Sequence, residues 1–122
     1  MLKRILSIIF ILALLPVVYA GELETAIKNN QDVFLYIYTS YCGTCKLFNP
    51  YYENLSKSYD KQFKFIKINA ETPYGYGLIK SFNAQYVPFV IMINSKKVWQ
   101  IDSSCLTDNI CTAEAIKKFK QK

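Results

Sequence analysis

Hydrophobic and polar positions along the chain predict four helices and four strands behind an apolar leader. Glu22 to Asn30 puts Leu23, Ala26 and Ile27 on one face of a short helix, which Gln31-Asp32 ends. Val33-Phe34-Leu35-Tyr36-Ile37-Tyr38 is a nearly continuous β-branched and aromatic run, the pattern of a strand buried on both faces. Thr39-Ser40-Tyr41 leads into Cys42-Gly43-Thr44-Cys45 and then a second helix, with Leu47, Tyr51, Leu55 and Ser58 near helical spacing. Pro50 lies inside it, lacks an N–H and crowds the preceding turn, so a kink is expected there. Phe63 to Asn69 alternates as a strand does. Thr72-Pro73-Tyr74-Gly75 reads as a turn and Tyr76 to Phe82 as a short helix. Val87-Pro88 precedes a strand over Phe89 to Ile93. The short turn Asn94-Ser95-Lys96 then makes Val98 to Ile101 its antiparallel neighbour. Ser103 to Cys111 reads as a loop. Thr112 is the expected cap of a last helix carrying Ala115, Ile116 and Phe119.

A strand–helix–strand unit followed by a hairpin and a helix implies an α/β fold: a mixed central sheet of about four strands flanked by helices. A length of 122 residues leaves room for one domain. The 10 Tyr and 8 Phe are enough to fill its core, although part of the 52% hydrophobic content lies in the leader. Met1-Leu2-Lys3-Arg4 is basic, Ile5 to Leu15 is apolar except for Ser7, and Val18-Tyr19-Ala20 follows Pro16. That is the layout of a signal peptide cleaved after Ala20, leaving 21–122 as the folded domain. The alternative is an uncleaved membrane anchor. Ile5 to Ala20 is 16 residues, however, short of the ~20 a spanning helix needs, and Glu22 and Glu24 follow rather than a basic cluster. An exported protein, in a bacterial periplasm, is the expectation.

Loss of Lys3 and Arg4 with the leader lowers the net charge from +6 by two, to +4. The excess is spread out and ends in Lys117, Lys118, Lys120 and Lys122, a solvated helix face and tail. No basic stripe is interleaved with aromatics, so no nucleic-acid partner is expected. The chain has no His, which removes the commonest general base and metal ligand, and with them a His-based hydrolase or an imidazole metal site.

All four Cys lie beyond the leader, where export would let disulfides form and persist. Three pairings are open to them. Cys42-Gly43-Thr44-Cys45 stands at the end of the buried strand and the start of a helix. Helix-start N–H groups favour a thiolate at Cys42, and the thiolate is the nucleophile of disulfide exchange. Cys45, one turn on, is placed to attack the resulting mixed disulfide. Zinc sites also use C-x-x-C, but the strand–helix setting and the export signal favour redox chemistry, with no metal and no cofactor. The wide separation of the two Cys pairs also counts against a compact metal site.

The sequence resembles the thioredoxin superfamily over essentially all of 21–122. The resemblance is carried by Phe34-Leu35-Tyr36-Ile37-Tyr38, Tyr41-Cys42-Gly43-Thr44-Cys45-Lys46, Pro50, Lys67-Ile68-Asn69 and Val87-Pro88. It implies a cis proline at Pro88 facing the Cys pair, and a Val87 backbone that pairs with an extended substrate segment. Several positions depart from the family pattern. Tyr41 stands where Trp is usual and still offers a flat apolar surface. Tyr36 stands where many thioredoxins bury an acid that helps deprotonate the second Cys. Lys67 matches a family Lys near that acid, and reads equally as a solvated strand residue. The family's first edge strand has no counterpart.

Gly43-Thr44 matches neither the Gly-Pro of reducing thioredoxins nor the His-containing pairs of strong oxidants. This tilts the expectation towards a reductase or electron carrier. Protein dithiols and disulfides would be its substrates, a membrane-bound redox partner would reset it, and a monomer would suffice. The alternatives are a disulfide-donating oxidase and a non-catalytic binding module presenting Tyr41 and Val87. For Cys105 and Cys111 the default is a bridge that staples the last helix to the sheet edge. The alternative is a Cys105 near the active site that exchanges with Cys42.

Overall fold

The computed structural model describes residues 21–121; the leader, and with it the expected cleavage after Ala20, lies outside the described residues. The elements run α1 (Glu22–Lys28), β1 (Val33–Tyr38), α2 (Gly43–Ser58), β2 (Lys64–Asn69), α3 (Pro73–Ser81), β3 (Phe89–Ile93), β4 (Val98–Gln100) and α4 (Asn109–Lys120). A single 3₁₀ turn, Ser103–Cys105, joins β4 to α4. The strands form one mixed sheet in the order β2-β1-β3-β4. β1 runs parallel to β2, Val33 opposite Lys64, and antiparallel to β3, Val33 opposite Ile93. β3 and β4 are antiparallel.

The unbroken apolar run of β1 has its cause in this arrangement. Successive strand residues point to opposite faces. Val33, Leu35 and Ile37 pack with Leu23 and Ala26 of α1 and Leu78 of α3. Phe34 and Tyr36 pack with Phe48, Tyr52 and Leu55 of α2 and with Ile116 and Phe119 of α4. β1 is therefore buried on both faces, as its sequence implies. On the second face the aromatics form a continuous cluster: the Phe34 ring stacks on Phe65 at 4.9 Å and meets the edge of Phe63 at 6.2 Å.

α1 ends at Lys28 rather than Asn30, and the other three helices also differ from the sequence expectation. α2 starts at Gly43, directly after Cys42, and this phase turns Cys45, Phe48, Tyr52 and Leu55 inward. Leu47, expected inside, is 67% exposed, Ser58 is exposed and Tyr51 only half-buried. The helix runs on through Pro50. Thr72 to Gly75 is not a free turn. The Thr72 hydroxyl accepts the Gly75 N–H at 3.0 Å and Pro73 takes the first helical position, where its missing N–H costs nothing. Gly75 is required there, since a Cβ would run into the backbone of Asn69 and Ala70. The last helix is capped by Asp108 rather than Thr112. Asp108 accepts from the N–H groups of Ile110 and Cys111, which places Cys111 in the first turn, and Thr112 is buried with its hydroxyl donating to the Asp108 carbonyl. β4 ends at Gln100; Ile101 is buried beyond it.

α4 is tied down at its far end. Lys120 Nζ lies 2.6 Å from Asp32 Oδ2, donates to the Gln62 carbonyl at 2.8 Å and sits over the Phe63 ring. Partial burial raises the Asp32 carboxyl. Hydrogen bonds from Lys120 and Asn94, with the charges of Lys120 and Lys97, outweigh that and hold it below its ordinary 3.8. A depressed acid stabilises the fold above its unfolded pKa and loses that contribution as pH falls through the folded value. Lys120→Ala should therefore cost about 1 kcal/mol at pH 7. The difference from the unaltered protein should shrink below pH 4, as measured by urea unfolding at the two pH values.

Candidate active site

The carboxyl end of β1 and the amino end of α2 bring the expected cysteines together. Cys42 is the N-cap of α2, in extended conformation, and its Sγ accepts the Cys45 N–H at 3.0 Å. The sulfur thus takes the place that Ser or Asp oxygen fills at other helix starts, held by a backbone donor and facing the positive end of the helix. Cys42 and Cys45 are bridged, with Cα atoms 5.2 Å apart. Cys45 is buried and Cys42 nearly so, while Tyr41 beside them is 78% exposed. Ser40, just before Tyr41, is fixed from below: its N–H donates to Glu71 Oε1 at 2.6 Å. That backbone donor, foremost, holds the Glu71 carboxyl below its ordinary value.

The Val87-Pro88 peptide bond is cis, as the resemblance implies, and Val87 packs against the cluster that contains both cysteines. A cleft of about 300 Å³ opens alongside, lined in part by Thr39, Tyr41, Glu71, Tyr76, Tyr86 and Val87. Its three tyrosines are exposed, and the buried Thr39 Oγ1 has no hydrogen-bond partner. Composition flagged the abundant Tyr, but nothing in the spacing pointed to Tyr76 and Tyr86 meeting here: only the fold brings α3 and the segment before β3 to Tyr41.

Gly43 and Thr44 are exposed on the first turn of α2, and nothing lies within 4 Å of a Cβ built on Gly43. The backbone does not need glycine at that position. Lys67 is exposed on β2 with its Nζ 5.0 Å from the Tyr38 ring and 5.6 Å from the Tyr36 ring. It is thus a solvated strand residue, with its charge over the two tyrosine rings.

This assembly of a sulfur-capped helix, a buried second Cys and a cis proline is matched by a family model. The model described as thioredoxin aligns with residues 15–118. The chain belongs to the thioredoxin family. Its curated relatives include a thioredoxin of Borreliella burgdorferi, 25% identical over 75 residues, covering 62% of this chain and 62% of that protein. Thioredoxin 1 of Plasmodium falciparum is 35% identical over 51 residues, covering 42% of this chain. The aligned stretches thus span 62% and 48% of those relatives' own lengths. Among solved structures, spinach chloroplast thioredoxin f superposes with a TM-score of 0.68 at 22% identity, covering 83% of this chain and 88% of that one. Oxidised mitochondrial thioredoxin 3 of Saccharomyces cerevisiae gives 0.65 at 19%, covering 80% and 87%. At these identities the superpositions establish the thioredoxin fold.

The second pair, Cys105 and Cys111, is also bridged, with Cα atoms 5.4 Å apart, and joins the 3₁₀ turn to the first turn of α4. Both pairs therefore put a cysteine at a helix start, but the electrostatics are opposite. At α2 the helix-start donor points at the Cys42 sulfur. At α4 the Asp108 carboxylate already takes the Ile110 and Cys111 N–H groups, at 3.0 and 3.1 Å, and adds a negative charge. A carboxylate at a helix start removes the donors that a thiolate there would use, and a disulfide whose thiols leave poorly exchanges slowly. Thiol mapping under graded dithiothreitol should accordingly show Cys42–Cys45 reduced while Cys105–Cys111 is still bridged.

Proposed function

We infer that this thioredoxin-family chain is an exported thiol–disulfide oxidoreductase, with Cys42 as nucleophile and Cys45 as resolving thiol. The observation that carries the reading is the Cys42 sulfur set at the start of α2 with the Cys45 N–H donating to it. In the reduced pair, that donor and the helix-start charge favour a Cys42 thiolate. The thiolate attacks a substrate disulfide, forms a mixed disulfide and expels the first substrate thiolate. Cys45 then attacks Cys42 Sγ and expels the second, leaving the bridge found in the structure. Tyr41 precedes Cys42, Val87 packs against the cluster that holds both cysteines, and the tyrosine-lined cleft that Tyr41 and Val87 share suits an extended segment of a protein substrate. Gly43 and Thr44 would set the potential.

The expected direction is reduction, or electron carriage, because no His stands between the cysteines to stabilise the Cys42 thiolate further. A membrane-bound redox partner in a bacterial periplasm follows from the export reading, and a monomer suffices for the chemistry. The leader sequence and a second, structural disulfide support that setting. Two measurements test the proposal. The domain 21–122, supplied with dithiothreitol, should accelerate reduction of insulin disulfides; no acceleration over dithiothreitol alone contradicts the oxidoreductase reading. Mass spectrometry of the protein recovered from its host should find Gly21 at the amino end, and Met1 there would contradict cleavage. The competing reading, a binding module whose pair stays bridged, draws on the exposed Tyr41, Tyr76 and Tyr86 and is separated by thiol titration.

A further inference from the structure

Tyr36 is wholly buried on β1, yet its hydroxyl is hydrogen-bonded where it matters for Cys45. It lies 3.1 Å from the Cys45 carbonyl and 2.8 Å from Asn49 Oδ1. A phenol has one proton, so both contacts are satisfied together when the Asn49 amide presents its N–H to the phenol oxygen and the phenol donates to the Cys45 carbonyl. Pro50, the next residue, has no N–H to give the Lys46 carbonyl, so this turn of α2 lacks one of its internal bonds. The Tyr36 bond supports the helix from the sheet at that weakened turn.

The surroundings offer no base. The chain has no His, and the buried polar side chains among the described residues are Thr39 and Thr112. The hydrophobic cluster that holds Tyr36 and Cys45 also holds Tyr52 of α2 and Cys105, with Tyr38 of β1 and Cys111 packed on it, and Lys67 Nζ of β2 lies 5.6 Å from the Tyr36 ring. Burial, with some contribution from Tyr38, pushes the Tyr36 phenol up to about 12, so it stays protonated at any neutral pH. Glu71, the carboxylate tied to the active-site loop, is spent on the Ser40 N–H and holds its charge above its depressed pKa.

We propose that Tyr36 is the positioning residue of the resolving step: it holds the Cys45 turn of α2 in place without taking a proton, and the Cys45 proton leaves to solvent. The proposal rests on the exchange chemistry inferred above. In this step the Cys45 S–H bond breaks to give its proton to water, and the thiolate attacks Cys42 Sγ. As the Cys42–Cys45 bond forms, the bond from Cys42 to the substrate sulfur breaks, its electron pair leaves on that sulfur, and water reprotonates it. The substrate disulfide gains two electrons and the Cys pair loses them. Because only the thiolate fraction of Cys45 reacts, resolution is slow at low pH and the mixed disulfide is long-lived there.

The test uses reduced domain and glutathione disulfide, followed by stopped-flow and acid-quench mass spectrometry. The first phase, glutathionylation at Cys42, reports the exchange activity itself; its absence would sink that underlying reading rather than this one. The second phase, release of glutathione, should accelerate about tenfold per pH unit, hence about a hundredfold from pH 6 to 8. Tyr36→Phe keeps the ring in the core. It should slow the second phase about three- to tenfold at every pH with the same slope, and slow the first phase, which reads the Cys45 N–H on Cys42, by a smaller factor. Asn49→Ala, at a half-buried position, should show the same split. A second phase that is flat between pH 6 and 8, a slope altered by Tyr36→Phe, or a second phase that neither variant slows would each overturn the proposal.

Discussion

Replacing Cys42 by Ser is expected to bring disulfide reduction down to the uncatalysed rate while leaving the fold in place. The two halves of that expectation have separate causes. The serine hydroxyl is not ionised at neutral pH and lacks the nucleophilicity of a thiolate, so the first exchange step is lost entirely. The same hydroxyl is a good N-cap and can accept the Cys45 N–H that the sulfur accepts now. The amino end of α2 therefore keeps its bond, and the loss of activity cannot be charged to unfolding. Cys42→Ala makes the control, inactive as well but with the cap removed, at an added cost of about 1 kcal/mol. Cys45→Ser should behave differently again. Its Cys42 still attacks, but nothing resolves the product, so the substrate accumulates as a mixed disulfide on Cys42, visible on a non-reducing gel. The three variants read out nucleophile, cap and resolving thiol one at a time.

The largest effect on stability is expected at Phe34, in the middle of the central strand. Its ring is fully buried, stacked on Phe65, edge-on to Phe63 and 6.3 Å from Tyr52. Phe34→Ala empties the point where β1, β2 and α2 meet. Aromatic-to-alanine changes in such positions cost about 3–5 kcal/mol, a large share of the 5–15 kcal/mol that holds a typical domain together. At roughly 4–8 °C per kcal/mol for a domain of this size, thermal unfolding should fall by at least about 12 °C. Trp99, 40% exposed on the edge strand, should give less than about 1 kcal/mol on truncation and serves as the contrast.

What could be read from the sequence depended on how much of the signal was local. Val33 to Tyr38 gave its own answer, because a strand buried on both faces must be apolar at every position. Val87-Pro88 and Cys42-Gly43-Thr44-Cys45 were legible through resemblance, and the cis bond is present. Some misplaced features turned on a local choice between equivalent residues, others on partners elsewhere in the chain. Leu47 and Phe48 are equally apolar; only the start of α2 at Gly43 decides that Phe48 turns inward and Leu47 outward. Thr112 and Asp108 are both good caps, and Asp108 takes the role because its carboxylate can reach the Ile110 and Cys111 N–H groups. Thr72-Pro73 looked like a turn, although a cap followed by proline is also how a helix begins. The cleft of Tyr41, Tyr76 and Tyr86 had no sequence signature, since three separate segments build it. Tyr36 was visible as a departure from the family pattern, but its bond to the Cys45 carbonyl required the packed structure.

The central claim is that Cys42–Cys45 is a working redox couple, and its reduction potential tests that most directly. Equilibrating the domain 21–122 with graded thiol buffers and counting free thiols at each should give a reversible two-electron titration, shifting tenfold in ratio per about 30 mV. The value is expected nearer the thioredoxin end, roughly −270 mV, than the roughly −120 mV of a strong disulfide donor, with Cys105–Cys111 still bridged at the midpoint. A value at the donor end would reverse the direction of electron flow. A pair that stays bridged at every buffer potential short of unfolding would contradict the account.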